Sequence, residues 1–201
     1  MQKIDLRQYK KEQRAKYRDR RARMEPSLRS WKDQLIARRV RGLYQYKDCH
    51  TVLTYVSTPT EVDTHEIILG SLADGKRVAV PRCIPGTNEM EFYYITSMDD
   101  LREGSYKLLE PDPRRCEKLD AARTQLAKGC ICIVPGFVFD FDGYRIGYGK
   151  GYYDRFLNSW PCVKIGICYS ECVKYRLLRG RYDIAVDLLI TDRYLKRTGQ
   201  P

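Results

Sequence analysis

Apolar positions change their period near residue 50, dividing the chain into a helical start and a remainder that alternates between strand-like and helix-like runs. Residues 3–24 are rich in helix formers, with Leu6, Tyr9 and Tyr17 as a thin apolar seam. Pro26 and Ser27 interrupt this stretch, and Ser27 is read as the N-cap of a second helix. In that helix Leu28, Trp31, Leu35 and Ile36 repeat at the three-and-four spacing of an amphipathic face. TVLTYVS (51–57) is β-branched and apolar and predicts a strand, and 58–74 predicts a helix with Gly75 just beyond it. Further strands are expected at 76–83, 91–97, 130–136, 163–170 and 187–192, whereas 99–123 is polar, punctuated by proline and left without an assignment. Strands that are apolar throughout and separated by helices predict an α/β fold. The expected fold is a Rossmann-like three-layer arrangement, a mostly parallel sheet with helices on both faces and an N-terminal basic helical arm. Ligands of such sheets bind beyond the carboxyl ends of the strands. Residues following 51–57 and 130–136 are therefore expected on one rim.

Charge sharpens this picture once it is located. Residues 1–47 hold 16 Lys and Arg against 5 Asp and Glu, while residues 48–201 hold 21 against 21, so the whole net charge of +11 belongs to the helical start. Such an arm can bind nucleic acid, an anionic surface or a polyanionic small substrate, or can be a solvated helix face. The 201 residues fit one domain, 1–201, with 1–47 as the basic arm packed on it. No apolar run approaches the roughly 20 residues of a membrane span, and the charges of the N-terminus are not followed by an apolar stretch, which points to the cytoplasm. None of the eight cysteines forms a C-x-x-C pair, and with His50 and His65 the sole histidines they read as buried free thiols rather than a zinc site.

Candidate chemistry concentrates in PGFVFDFDGYRIGYGKGYYDRFL (135–157). Gly143, Gly147, Gly149 and Gly151 fall within nine residues, interleaved with Arg145 and Lys150. Alternating glycines let backbone N–H groups approach an anion, Arg and Lys add fixed charge, and a helix that follows adds its N-terminal partial charge. The segment is not a Walker A loop, since Gly151 rather than Ser or Thr follows Lys150, nor a dinucleotide fingerprint, which needs glycine where Tyr152 stands. Asp154 reads either as a Mg²⁺ ligand beside bound phosphates or as an acid favouring the first helical turn.

R-I-G-Y-G-K-G-Y-Y-D-R at 145–155 closely resembles the most diagnostic motif of the 5-formyltetrahydrofolate cyclo-ligases, also called methenyltetrahydrofolate synthetases. PGFVFD upstream, Lys3 and Arg7 in KIDLR, YVSTPTEVDT with Glu61, VAVPR with Pro81 and Arg82, and the pair Val186-Asp187 agree in order and approximate spacing, so the resemblance spans almost the whole chain. It implies conversion of 5-formyltetrahydrofolate and ATP to 5,10-methenyltetrahydrofolate, ADP and phosphate with Mg²⁺. In that scheme the formyl oxygen attacks the γ-phosphate, N10 attacks the resulting imidate phosphate, and phosphate leaves as the ring closes. By the same resemblance Lys3, Arg7, Arg145, Gly147, Tyr148, Gly149, Lys150, Gly151, Tyr152 and Tyr153 serve ATP, with Lys150 and Arg145 stabilising the transferring group. Val56, Glu61 and the 148–152 stretch face the folate, and Asp154 and Asp187 serve Mg²⁺. Tyr152 and Tyr153 either pack on folate or donate to phosphate, and one of them can instead belong to the core. The partners implied are small molecules bound by a monomer. The neutral balance of residues 48–201 and the lack of a nucleic-acid motif argue against nucleic acid, and ATP dependence separates this reading from a sugar-phosphate isomerase or acyl-CoA transferase of similar architecture.

Overall fold

A computed structural model describes residues 5–104, 107–120 and 129–198; Lys3 lies outside them. Strands β1 (Thr51–Leu53), β2 (Arg77–Cys83), β3 (Met90–Ile95), β4 (Leu101–Glu103), β5 (Leu109–Pro111), β6 (Cys130–Val134), β7 (Val138–Asp140), β8 (Arg145–Ile146), β9 (Val163–Ile167), β10 (Val173–Lys174), β11 (Leu188–Ile190) and β12 (Leu195–Arg197) alternate with helices α1 (Leu6–Ala22), α2 (Pro26–Gly42), α3 (Tyr44–Asp48), α4 (His65–Ala73) and α5 (Tyr152–Ser159). The main sheet runs β12-β11-β9-β6-β1-β2-β3. Its five inner strands are parallel, and β3 and β12 pair antiparallel at the two edges. Each residue of β6 is buried, as a strand covered on both faces requires. Successive side chains of β2 and β3 point to opposite faces. Ile68 of α4 accordingly packs with Val78, Val80 and Ile95, while Phe156 of α5 lies 4.5 Å from the ring of Phe92 on the other face.

Several local features differ from the sequence expectation. The second helix is capped by the Glu25 side chain, which accepts from the Leu28 amide, with Pro26 at the first helical position instead of Ser27 as cap. Its buried residues are Lys32, Ile36, Ala37 and Val40, so the inward face sits one step round from the expected one, and Trp31 is 55% exposed. The cause is polar: the Lys32 ammonium is drawn inside by Glu171 and by Asp192 at 3.3 Å. The helix expected from 58 begins at His65, because 57–64 satisfies its backbone locally. There the Thr58 amide donates to Glu61 (2.8 Å), the Ser57 amide to Thr64 Oγ1 (3.1 Å), and the Thr64 hydroxyl to the Tyr55 carbonyl (2.7 Å). A small sheet in the order β10-β7-β8 was not foreseen. Its Phe139 ring lies where a Cβ on Gly166 would come within 2.4 Å, so the glycine of β9 is what lets β7 fold back onto the main sheet. Helix α1 packs on β7 and β8. No helix among the described residues is long and apolar enough to cross a membrane.

Candidate functional site

β1 and β6 are adjacent and parallel, so the segments leaving their carboxyl ends lie side by side. From β6 the chain folds back through β7, turns at 141–144 and returns along β8 to the same rim. There the Tyr148 hydroxyl donates to Glu61 Oε1 at 2.6 Å, joining the two segments expected to share a rim. Glu61 is 7% exposed, and its other oxygen accepts from the amide and hydroxyl of Thr58 at 2.8 and 2.9 Å. Burial, then the adjacent Glu61 carboxylate, push the Tyr148 phenol above its ordinary range, so it stays a donor. The Tyr148 ring also leans on Phe137, with centroids 4.6 Å apart.

Between β8 and α5 the backbone forms a concave turn. Gly149 (φ +99°) and Gly151 (φ +75°) are left-handed, and Lys150 between them has a negative φ. Alternation of this kind makes a nest of converging N–H groups. The amides of Gly147, Tyr148, Gly149, Lys150 and Gly151 have no hydrogen-bond partner among the described residues, and neither does the exposed Lys150 ammonium. Gly151 is also the N-cap of α5, so the positive end of the helix opens on the nest. From the arm, Arg14 Nε donates to the Gly147 carbonyl at 2.8 Å, and its guanidinium lies where a Cβ on Gly149 would come within 2.9 Å. Arg18 and Arg21 stand over the Phe137 ring at 5.6 and 5.4 Å. Burial, with Arg18 alongside, lowers the pKa of Arg14.

The remaining expected residues are placed more variously. Arg145 is buried: its guanidinium donates to the Ile184 carbonyl (2.8 Å) and pairs with Asp154 (3.1 Å), whose same oxygen accepts the Ile184 amide (3.2 Å). Arg145 and Asp154 are thus brought together, with each other as partners. Tyr152 reaches the Thr87 carbonyl at 3.4 Å. The Tyr153 hydroxyl is buried with no partner among the described residues, and burial, then Cys132 and Glu61, push its pKa well up. A buried hydroxyl left unpaired costs about 1–3 kcal/mol, which marks a place for a ligand or water atom beside Glu61 and Arg145. Val56 packs against the small apolar cluster of β2 and α4. Arg7 is exposed on α1, its side chain without an ion pair among the described residues.

Asp187 precedes β11 at the amino-terminal starts of β9 and β11, where it accepts the Lys164 amide (2.7 Å) and pairs with the Lys164 ammonium (3.2 Å). No hydrogen bond or ion pair links it to Asp154. Among the described residues no three His, Cys, Asp or Glu side chains group to hold a metal. A Mg²⁺ carried by phosphates needs just one or two carboxylates, and Asp154 fits that demand through its second oxygen, which has no partner among the described residues; Asp187 lies at the amino-terminal starts of β9 and β11, at the other end of the strands from the rim that carries Glu61. On the far side of Glu61 a cleft of about 350 Å³ is lined by Asp33, Ser57, Thr58, Asp63 and His65. Burial raises Asp33 to about 6 against the opposing hydrogen bonds from Tyr169 and the Asp63 amide.

Comparison with known proteins bears on the whole arrangement. A model of the 5-formyltetrahydrofolate cyclo-ligase family matches residues 6–177. The chain belongs to this family. It is 34% identical over 146 residues to the mitochondrial 5-formyltetrahydrofolate cyclo-ligase of Arabidopsis thaliana, a match covering 68% of this chain and 53% of that protein, so the chain spans about half the length of this relative. It is 32% identical over 150 residues to the probable 5-formyltetrahydrofolate cyclo-ligase of Schizosaccharomyces pombe, covering 68% and 71%. The fold is similar to the NMR structure of Aquifex aeolicus 5,10-methenyltetrahydrofolate synthetase, with a TM-score of 0.80 at 29% identity over 96% of this chain and 94% of that one. The cyclo-ligase match takes in the nest, Glu61 and the Arg145–Asp154 pair and stops short of Asp187. Sequence reasoning missed Arg14 and Arg18. The available signal was the period of the cations themselves, since Arg7, Arg14, Arg18 and Arg21 fall on one face of α1.

Proposed function

We propose that the chain closes 5-formyltetrahydrofolate to 5,10-methenyltetrahydrofolate at the expense of ATP. The observation that carries this reading is the nest at 147–151, whose amides and Lys150 ammonium have no partner among the described residues and open beside Glu61 on the same rim. Five amides, a lysine and a helix N-terminus exceed what a single phosphate needs and suit the chain of charges on a triphosphate.

The chemistry asks for few covalent partners. The formyl oxygen attacks the γ-phosphorus, the bond to the β-phosphate oxygen breaks and ADP departs. N10 then adds to the activated formyl carbon and gives up its proton to solvent, and expulsion of phosphate completes the ring. Transfer of this kind depends on alignment and on neutralising charge spread over the phosphoryl oxygens. Lys150 and the nest amides take that role, with Arg14 and Arg7 extending the positive surface along α1 and Lys3 proposed alongside them. Arg145 acts by holding Asp154, so that one carboxylate oxygen stays aimed at the phosphates. Asp154 would hold Mg²⁺ together with those phosphates, and the ion supplies further charge neutralisation when bound. Glu61 keeps acceptor capacity beyond its three donors and faces the pterin N–H groups. Tyr148 and Tyr153 fix the folate beside it, the second through its unpaired hydroxyl. Eight free cysteines with no disulfide fit a reducing compartment, the cytosol.

The test is an absorbance assay in the near ultraviolet with purified protein, 5-formyltetrahydrofolate, Mg²⁺ and ATP. The expected result is product formation that requires both ATP and Mg²⁺. A flat trace from folded protein overturns the reading.

A further inference from the structure

The balance of 21 cations against 21 acids over residues 48–201 is a total, and it hides an uneven surface. Segment 174–182 reads K-Y-R-L-L-R-G-R-Y, with four cations and no acid. Tyr175 leaves the edge strand β10 and is 84% exposed. The Phe141 ring meets it edge-on at 6.3 Å and is itself covered by the Lys196 ammonium at 5.2 Å. Lys196 belongs to β12, the outer edge of the main sheet, all three residues of which are exposed. Arg179 ties the two pieces together, pairing with Asp142 and stacking on Tyr144 at 4.0 Å. The nearby acids are thereby used: Asp142 by Arg179, and Asp183 by Lys10 at 2.5 Å. Arg176, Arg181, Lys196 and Arg197 make no ion pair among the described residues.

We infer that this face, built from the 141–144 turn, segment 174–182 and β12, binds single-stranded nucleic acid. A lysine on an edge strand guards the sheet against pairing with another chain, but that duty needs no aromatic ring held in water. Exposed rings among unpaired cations suit a strand whose bases are free to stack while its phosphates neutralise the arginines and lysines. A duplex hides its base faces from such rings. No hydrogen bond, ion pair or ring contact among the described residues joins Tyr175, Arg176 or Lys196 to the nest or to Glu61, so the two functions can be tested apart at these three positions.

The experiment is fluorescence anisotropy of a labelled single-stranded 12-mer RNA with the intact protein, titrated over salt. Four free cations predict a slope of log affinity against log salt of about −3. Tyr175→Ala is expected to weaken binding roughly tenfold, as loss of one base stack does, with Tyr175→Phe restoring it. The double variant Arg176→Gln/Lys196→Gln should halve the salt slope. Each variant should keep ATP-dependent cyclisation, so that a failure here is distinct from a failure of the proposed activity. The inference is overturned by an absence of binding, by equal binding of duplex RNA or of phosphatidylserine vesicles, by indifference to Tyr175→Ala, or by competition from ATP, which would move the site to the nest.

Discussion

Two glycine turns lie three residues apart, and they use glycine for opposite ends. In the turn at 141–144 the amides of Asp142, Gly143 and Tyr144 are all committed within the fold. Asp140, fully buried, accepts the amides of Asp142 (3.1 Å) and Tyr144 (2.9 Å) with one oxygen and that of Leu177 (3.0 Å) with the other. Gly143 has a φ of +88°, and a Cβ there would come within 2.6 Å of the Val186 carbonyl. In the nest at 147–151 the amides are uncommitted, and Gly147 has an ordinary φ with nothing within 4 Å of a Cβ. One glycine is required by packing, the other by nothing inside the fold. A glycine that the fold does not need, beside amides that the fold does not use, marks where a ligand's atoms come close.

The comparison is most strongly tested at Lys150. Lys150→Ala should lower kcat/KM for ATP by a factor of a hundred or more, since a group stabilising charge in the transition state is worth about 2.7–4 kcal/mol. The melting temperature should not move, because the ammonium has no partner among the described residues. An unchanged kcat/KM would return the nest to a solvated turn. Gly143→Ala is the mirror experiment, with an expected loss of stability of about 2–3 kcal/mol from the left-handed backbone and the collision behind it. Calorimetry that finds the variant as stable as the parent would show that the two turns are alike after all.

How far these roles could be read beforehand follows from the range of the interactions that set them. The five parallel strands were legible because each carries a short run of apolar, largely β-branched residues, and the nest because its glycines and Lys150 are neighbours in sequence. Strands of two residues such as β8 and β10 carry no period to read. The distinction between Gly143 and Gly147 rests on Val186 and Thr198, more than forty and more than fifty residues further along the chain. The mutual pairing of Arg145 and Asp154 depends on a distant return of the chain at Ile184. The buried Lys32 was invisible for a similar reason, since Glu171 and Asp192 reach it from the far end of the chain. Arg14 is different in kind. It was legible in principle, but as a period of cations rather than of apolar residues.

Gly147→Ala is a smaller and sharper probe. The backbone accepts alanine without strain, and lowered freedom in the unfolded chain should leave stability unchanged or raised by about 0.4–1 kcal/mol. The KM for ATP should nevertheless rise several-fold, because the new methyl group occupies the approach to the nest. Stability and affinity moving in opposite directions is a result that a purely structural glycine cannot produce.

The smallest expected effect lies where the nest meets the folate side. Tyr148→Phe keeps the ring on Phe137 and removes the donor to Glu61 Oε1. Glu61 retains both bonds from Thr58, so the carboxylate stays in place with one oxygen freed. A lost hydrogen bond to a charged group is worth about 1.5–3 kcal/mol, and less here, since Tyr148 is half exposed and water can take its place. The KM for 5-formyltetrahydrofolate should rise a few-fold while the KM for ATP holds. If ATP suffers instead, Tyr148 serves the phosphates, and the division of the rim into a triphosphate side at 147–151 and a folate side at Glu61 must be redrawn.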